Sequence, residues 1–249
     1  MSAPTPSLAD QLEYLKLAFI REHYEPLARQ AAKGQWPPSE YLAKLVEGEV
    51  HRRQDRALQR RIQAARFPVL KTLDDFQWNW PKSINRMHIQ QLFRLAFLEQ
   101  RANVIFVGGV GLGKTHLATA LAYASVVAGH TVLFSSAIDA VNTLTAAQAN
   151  QQLKHALARY TKPRVLLLDE VGYLPIDKIG ADLLFQIISQ RYERGSTIIT
   201  TNRPYKKWPT IFNNDSTLTS ALLDRLLHHA ETIVIEGTSF RMKERLQDP

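Results

Sequence analysis

The sequence predicts an α/β protein: a small N-terminal helical domain followed by a core with a five-stranded parallel sheet. Three observations lead there. From Asn103 onward, short apolar runs alternate with helical patterns, the mark of parallel strands joined by crossover helices. The first run opens directly into a glycine-rich loop and then a helix. Residues 1–66, by contrast, read as helices.

The first helix is expected from Ser7 to about Ala32, with Leu8, Leu12, Leu15 and Phe19 on one face, and Gly34 and Pro37-Pro38 end it. Ser39 is the expected N-cap of a second helix, in which Leu42, Leu45, Val46 and Val50 follow at helical spacing. This helix continues into residues 51–66, where Arg52, Arg53, Arg56, Arg60, Arg61 and Arg66 face one acid, Asp55, for a local charge of +5. Arg52, Arg56 and Arg60 recur every four residues and form a basic stripe. A guanidinium fork matches phosphate oxygens, and acids for intrahelical pairing are scarce here. Arg52, Arg53, Arg56, Arg60 and Arg61 are therefore expected to bind a phosphate backbone. The competing reading is a solvated helix, or pairing with acids of a neighbouring subunit. The aromatic, turn-rich stretch Phe67–Pro81 is the candidate junction between domains 1–66 and 67–249, with 67–102 a linker and adenine-side region. Phe76, Trp78 and Trp80 are candidates for a base-stacking surface or for core packing.

Composition narrows the class. The 249 residues carry 31 basic and 23 acidic side chains, a net +8 that favours a polyanionic partner without choosing one. The excess divides almost evenly, +3 in 1–68, +2 in 69–102 and +3 in 103–249, so the local cluster at 51–66 is more informative than the total. The absence of cysteine excludes disulfides, thiolate metal sites and a cysteine nucleophile. No run approaches the roughly 18 apolar residues of a membrane helix. The N-terminus lacks a secretory layout, so no membrane association and a cytoplasmic location are expected.

Strands are expected at Asn103–Val107, Thr131–Ser135, Val165–Asp169, Thr197–Thr201 and Thr232–Glu236. The first feeds Gly108-Gly109-Val110-Gly111-Leu112-Gly113-Lys114-Thr115, a GxxxxGK[ST] phosphate loop between strand and helix, with His116 next in line. Its amides converge on phosphates, and the following helix adds its positive N-terminal dipole. Lys114 is expected to bridge the β- and γ-phosphates, and Thr115 to offer its hydroxyl to Mg²⁺. The strand at 165–169 is apolar and ends in Asp169-Glu170, two carboxylates at the sheet edge where ligands of open α/β sheets bind. Asp169 is expected to hold Mg²⁺ and Glu170 to polarise the attacking water. A water-activating base beside the metal aspartate favours an ATPase over a small-molecule kinase. His228 and His229 fall on a predicted helix, where adjacent positions do not share a face, so no metal pair is expected.

The runs GGVGLGKTHLATALAYASVVAGHTVLFSS, LLLDEVGYLPID, TIITTNRPYKKW and SALLDRLLHHAETIVIEGTSFRMKE resemble the IstB/DnaC branch of the AAA+ ATPases, most of all the IstB-like ATP-binding proteins of insertion sequences. LVEGEVHRRQDRALQRRIQAARFP and KTLDDF extend the resemblance over most of the chain. It implies a sensor-1 role for Asn202, orienting the attacking water, and an arginine-finger role for Arg225, reaching the γ-phosphate in a neighbouring subunit. It also implies a sensor-2 role for Arg241. Gly237–Pro249, 13 residues, are too few for a full C-terminal helical lid, a truncation that this branch shares.

The resemblance implies an ATP-dependent DNA-binding regulator of transposition. It would oligomerise with ATP on duplex DNA, remodel it, and recruit or activate its cognate transposase. The alternative is a DnaC-like loader of a replicative helicase, and a distant third is a small-molecule kinase. ATP and Mg²⁺ are the expected cofactors.

Overall fold

In the computed structural model, the structure describes residues 6–80 and 84–240. The chain divides into two compact units between Arg60 and Arg61.

The first unit holds α1 (Leu8–Tyr14), α2 (Ala18–Gly34) and most of α3 (Pro38–Ala65). The single helix expected from Ser7 is two. Ser7 does cap α1, in a reciprocal capping box with Asp10, but the chain breaks at Lys16, whose φ is +56°. The break is stabilised from α3: the Glu49 carboxylate accepts the backbone N–H groups of Phe19 (2.7 Å) and Ile20 (3.4 Å), the unsatisfied donors at the start of α2. Burial pushes the Glu49 pKa up, but Arg53 and these two amides outweigh it, and the net shift is downward. Ser39 is not a cap, because α3 begins one residue earlier with Pro38 in its first turn, where a missing N–H costs nothing. The expected apolar face is also only partly used: Leu12 and Leu45 are buried, while Leu42, Val46 and Val50 stay exposed beside them.

The second unit begins at Arg61 and carries α4 (Arg86–Leu92), α5 (Ala96–Glu99) and then the sheet. Its elements are β1 (Asn103–Gly108), α6 (Lys114–Val127), β2 (Val132–Ser136), α7 (Ala137–Ala149), α8 (Leu153–Thr161), β3 (Val165–Val171), α9 (Lys178–Arg191), β4 (Ser196–Thr201), a 3₁₀ turn at 205–210, α10 (Ser216–Leu227) and β5 (Ala230–Ile235). All five strands are parallel, in the order β2-β3-β4-β1-β5. Side chains alternate between two apolar layers. Ile105, Leu166, Leu168 and Ile199 face a core with α7, α9 and α10, whereas Val104, Phe106 and Leu167 fall outside that cluster, and α6 packs across β1 to β4 with Leu117 and Leu121 fully buried. β4 is buried along its whole length, as expected of an interior parallel strand.

At the N-terminal edge of the sheet a guanidinium ties the layers together. Arg191, 2% exposed, donates from Nε to the Thr197 hydroxyl, from Nη1 to the carbonyls of Tyr160 (2.9 Å) and Pro163 (2.8 Å), and from Nη2 to those of Arg164 and Ser196. Burial, with Arg164 nearby, pushes its pKa down to about 10, so it stays charged at neutral pH. Arg191→Met strands several buried carbonyls at once and should cost ~3 kcal/mol or more in urea unfolding. Arg191→Lys should recover little of this, because an ammonium cannot reproduce the fork.

Candidate functional site

The parallel sheet brings the ends of β1, β3 and β4 to one edge. There a cavity of about 580 Å³ is lined by Val110–His116, Glu170, Tyr173, Thr200–Asn202 and, on its other side, by Phe76, Gln77, Trp80 and Phe240. The sequence-predicted residues Lys114, Thr115, Glu170 and Asn202 thus meet in one cleft.

The phosphate loop leads into the N-terminus of α6, whose first residue is Lys114. The Lys114 ammonium donates to the Gly109 carbonyl at 2.6 Å, folded back along its own loop. Asp169 is 7% exposed, and its Oδ1 accepts the hydroxyls of Thr115 (2.9 Å) and Thr200. Its neighbour Glu170 is exposed and has φ +59°. The cause is a bulge: Leu168 pairs with Ile199 and Val171 with Thr201, so β3 fits one more residue into the interval than β4. Thr200 fills that interval, because its Oγ1 accepts the Glu170 backbone N–H at 2.9 Å while donating to Asp169. The bulge sends the two consecutive carboxylates to different places, one buried against α6 and one into the cleft.

Asn202 follows β4, and its Oδ1 is buried without a hydrogen-bond partner. A buried acceptor of this kind is satisfied by a donor such as water. The donor set of Thr115 and Asp169, a hydroxyl and a carboxylate beside the phosphate loop, is the hard-oxygen chemistry that Mg²⁺ prefers.

Other residues depart from expectation or fill gaps in it. Phe76 is buried, lies against Gly113, and meets Trp78 and His116 edge-on at centroid distances of 5.1 and 5.4 Å. Trp80 lines the cleft, whereas Trp78 packs behind Phe76 with the Arg86 guanidinium over its ring. His116 bonds the Thr72 carbonyl at 2.9 Å, tying the 72–76 turn to α6. Sequence reasoning missed Thr200 and Phe240. The available signal for Thr200 was the pair Thr200-Thr201 following two isoleucines at the end of a strand expected to be buried.

Arg225 lies elsewhere. It lines a small depression with Arg101, Asn103, Arg191 and His229, at the edge where β1 begins. Its Nη1 donates to the Ala221 carbonyl at 2.8 Å, and its guanidinium lies over the Phe185 ring. His228 and His229 correct the expectation that they diverge: α10 ends at Leu227, so their rings come within 4.1 Å and approach the exposed Glu193, with Tyr192 bonded to His228. Arg241 lies outside the described residues.

The stripe on α3 also differs from expectation, since acids from α2 and from α3 itself do reach it. Arg52 makes a two-pronged pair with Glu22, and Arg53 bonds Glu49 at 3.1 Å and the Lys16 carbonyl at 3.2 Å. Arg56 and Arg60 remain exposed, and the Arg61 Nε is buried without a partner.

The sheet and the phosphate loop define a nucleotide-binding protein of the phosphate-loop class. Its fold resembles the DnaC helicase loader (TM-score 0.51, 24% identity, 60% of this chain and 86% of that one) and DnaI (0.55, 20%, 70% and 93%). It also resembles AMPPCP-bound DnaA from Aquifex aeolicus (0.56, 22%, 72% and 55%).

Residues 10–248 match the IstB-like ATP binding protein family, and the chain belongs to it. It is 40% identical to an insertion sequence IS21 ATP-binding protein of Pseudomonas aeruginosa, over 94% of this chain and 88% of that one. It is 38% identical to the IS232 counterpart of Bacillus thuringiensis subsp. berliner, over 95% and 94%. No helix among the described residues is long and apolar enough to cross a membrane.

A left-handed backbone costs a non-glycine residue on the order of 1–2 kcal/mol. Glu170→Gly should therefore raise the melting temperature by a few degrees, measured by calorimetry.

Proposed function

We propose that the protein is an ATP-hydrolysing, DNA-binding regulator of transposition that assembles with copies of itself on duplex DNA and engages a transposase. The observation that carries this reading is the split between the two edges of the sheet. Lys114, Thr115, Glu170 and Asn202 converge on one cleft, with Asp169 buried behind Thr115, while Arg225 sits at the opposite edge and cannot serve that cleft. A second copy would supply it.

The chemistry follows from the residues. Backbone amides of Gly109–Gly113 and the N-terminus of α6 hold the phosphates, and Lys114 exchanges the Gly109 carbonyl for phosphate oxygens. Mg²⁺, held by Thr115 and Asp169, would neutralise phosphate charge when bound. The Asn202 side-chain oxygen accepts a hydrogen bond from the attacking water and orients it. The Glu170 carboxylate takes one proton as the water oxygen adds to the γ-phosphorus and the bond from that phosphorus to the β–γ bridging oxygen breaks, releasing ADP. Arg225 of a neighbouring copy, released from Ala221, stabilises the charge that develops on the phosphoryl group. Hydrolysis is thereby made dependent on assembly.

The DNA contact is assigned to the exposed Arg56 and Arg60, and to Arg61, rather than to the whole stripe. Arg52 and Arg53 are expected DNA ligands whose guanidiniums hold α2 against α3, and on this reading they support the contact instead of forming it. Relatives named for insertion sequences favour transposition. The likeness to the DnaC helicase loader and to DnaI supports a shared fold only.

A binding assay with ATP tests the assignment. Arg56→Gln with Arg60→Gln should weaken duplex binding uniformly across sequences and reduce the salt slope by about 2, with ATP affinity unchanged. An unchanged slope would move the contact elsewhere.

A further inference from the structure

The segment that leaves β5 is unusual in touching both walls of the nucleotide cleft. β1 and β5 pair in register up to Gly108 and Ile235, so the phosphate loop and residues 236–240 leave the sheet side by side. Gly237, with φ +146°, lets the second chain turn across the first. The Phe240 N–H then donates to the Gly111 carbonyl at 2.9 Å. Ser239 packs on Gly111 so closely that a Cβ there would lie 2.1 Å from its Oγ, and Gly111 itself has φ +75°. On the other side, the Trp80 indole N–H donates to the Thr238 carbonyl at 2.8 Å. Phe240 and Trp80 both line the cleft.

We infer that residues 237–240 form a strap that holds the phosphate loop in its curled form, with Trp80 as the latch and Phe240 as part of the nucleobase wall. The geometry gives each contact a separate task. In a phosphate loop the amides face the ligand and the carbonyls face away. A donor on the Gly111 carbonyl therefore braces the loop from outside without competing for phosphate. The Phe240 N–H is that donor, and the Trp80–Thr238 bond fixes the strap that carries it. Trp80 acts through the strap and is a positioning residue. The Phe240 ring, presented to the cavity near Phe76 and Gln77, faces the space where a purine joined to a loop-bound triphosphate would extend. The strap continues β5, which follows α10 and Arg225, so the loop of one copy is connected by a short, sheet-paired path to the edge proposed to serve the next.

This inference rests on the phosphate loop being the nucleotide site, and the test keeps the two apart by comparing ATP with inorganic tripolyphosphate, which has no base. Equilibrium binding of both is measured on the full chain for wild type, Lys114→Ala, Trp80→Phe and Phe240→Leu. Trp80→Phe keeps a ring and loses the N–H, so it should weaken both ligands alike, by about 2–10-fold, the weight of one hydrogen bond. Phe240→Leu keeps the backbone N–H and loses the ring, so it should weaken ATP by about 2–10-fold and leave tripolyphosphate unchanged. Tripolyphosphate binding by Trp80→Phe equal to wild type overturns the latch. Equal loss of both ligands in Phe240→Leu overturns the base wall, and this variant still decides if Trp80→Phe folds poorly. Wild-type binding of both ligands that survives Lys114→Ala overturns the phosphate-loop reading itself.

Discussion

Everything in the nucleotide cleft depends on one buried carboxylate. Asp169 lies at the end of β3 with little access to water, and a buried anion must be matched by donors. Those donors are the hydroxyls of Thr115 and Thr200, so one group ties the start of α6 and the strand β4 to β3. Thr200 also accepts the Glu170 amide, and the bulge it stabilises is what separates the tasks of adjacent acids. The parallel sheet makes this possible, because all its strands end on the same edge. That edge gathers the phosphate loop, Glu170, Asn202 and Phe240 around one cavity, with Asp169 buried behind Thr115.

The opposite edge is organised by cations. Arg191 gathers carbonyls from α8, the turn before β3 and the start of β4, fixing the ends of the strands there. Arg225 lies in the same depression, held by Ala221 and Phe185. A protein with its phosphate cradle at one edge and a poised guanidinium at the other is suited to head-to-tail association, in which each copy completes the next. In the first unit, too, charge is spent on structure first: Glu22 and Glu49 engage Arg52 and Arg53 and leave fewer arginines for a polyanion than the linear count suggests.

Much of this was legible in the sequence. The five strands lie within a few residues of their expected positions because buried parallel strands are continuous apolar runs, and the phosphate loop has a spacing set by backbone geometry. What was not legible depends on long-range partners. The break at Lys16 needs Glu49, 33 positions away in the numbering, to cap α2, and local periodicity gives no sign of it. The pairing of the α3 arginines was missed because only acids within 51–66 and those of a neighbouring subunit were weighed, whereas Glu49 lies just upstream on α3 and Glu22 comes from α2. Thr200 and Phe240 carry no motif, and their roles emerge only when the sheet sets their neighbours.

The central claim is that a cleft with Glu170 becomes competent only when another copy contributes Arg225. Mixing two inactive variants tests it most directly. Lys114→Ala lacks a working phosphate loop but keeps Arg225, and Arg225→Ala keeps its loop but lacks the finger. ATP turnover measured on duplex DNA should be negligible for each alone and should reappear on mixing, because Arg225 from one chain then serves the cleft of the other. Turnover that stays negligible in the mixture, with both variants folded and co-assembled, would contradict the account.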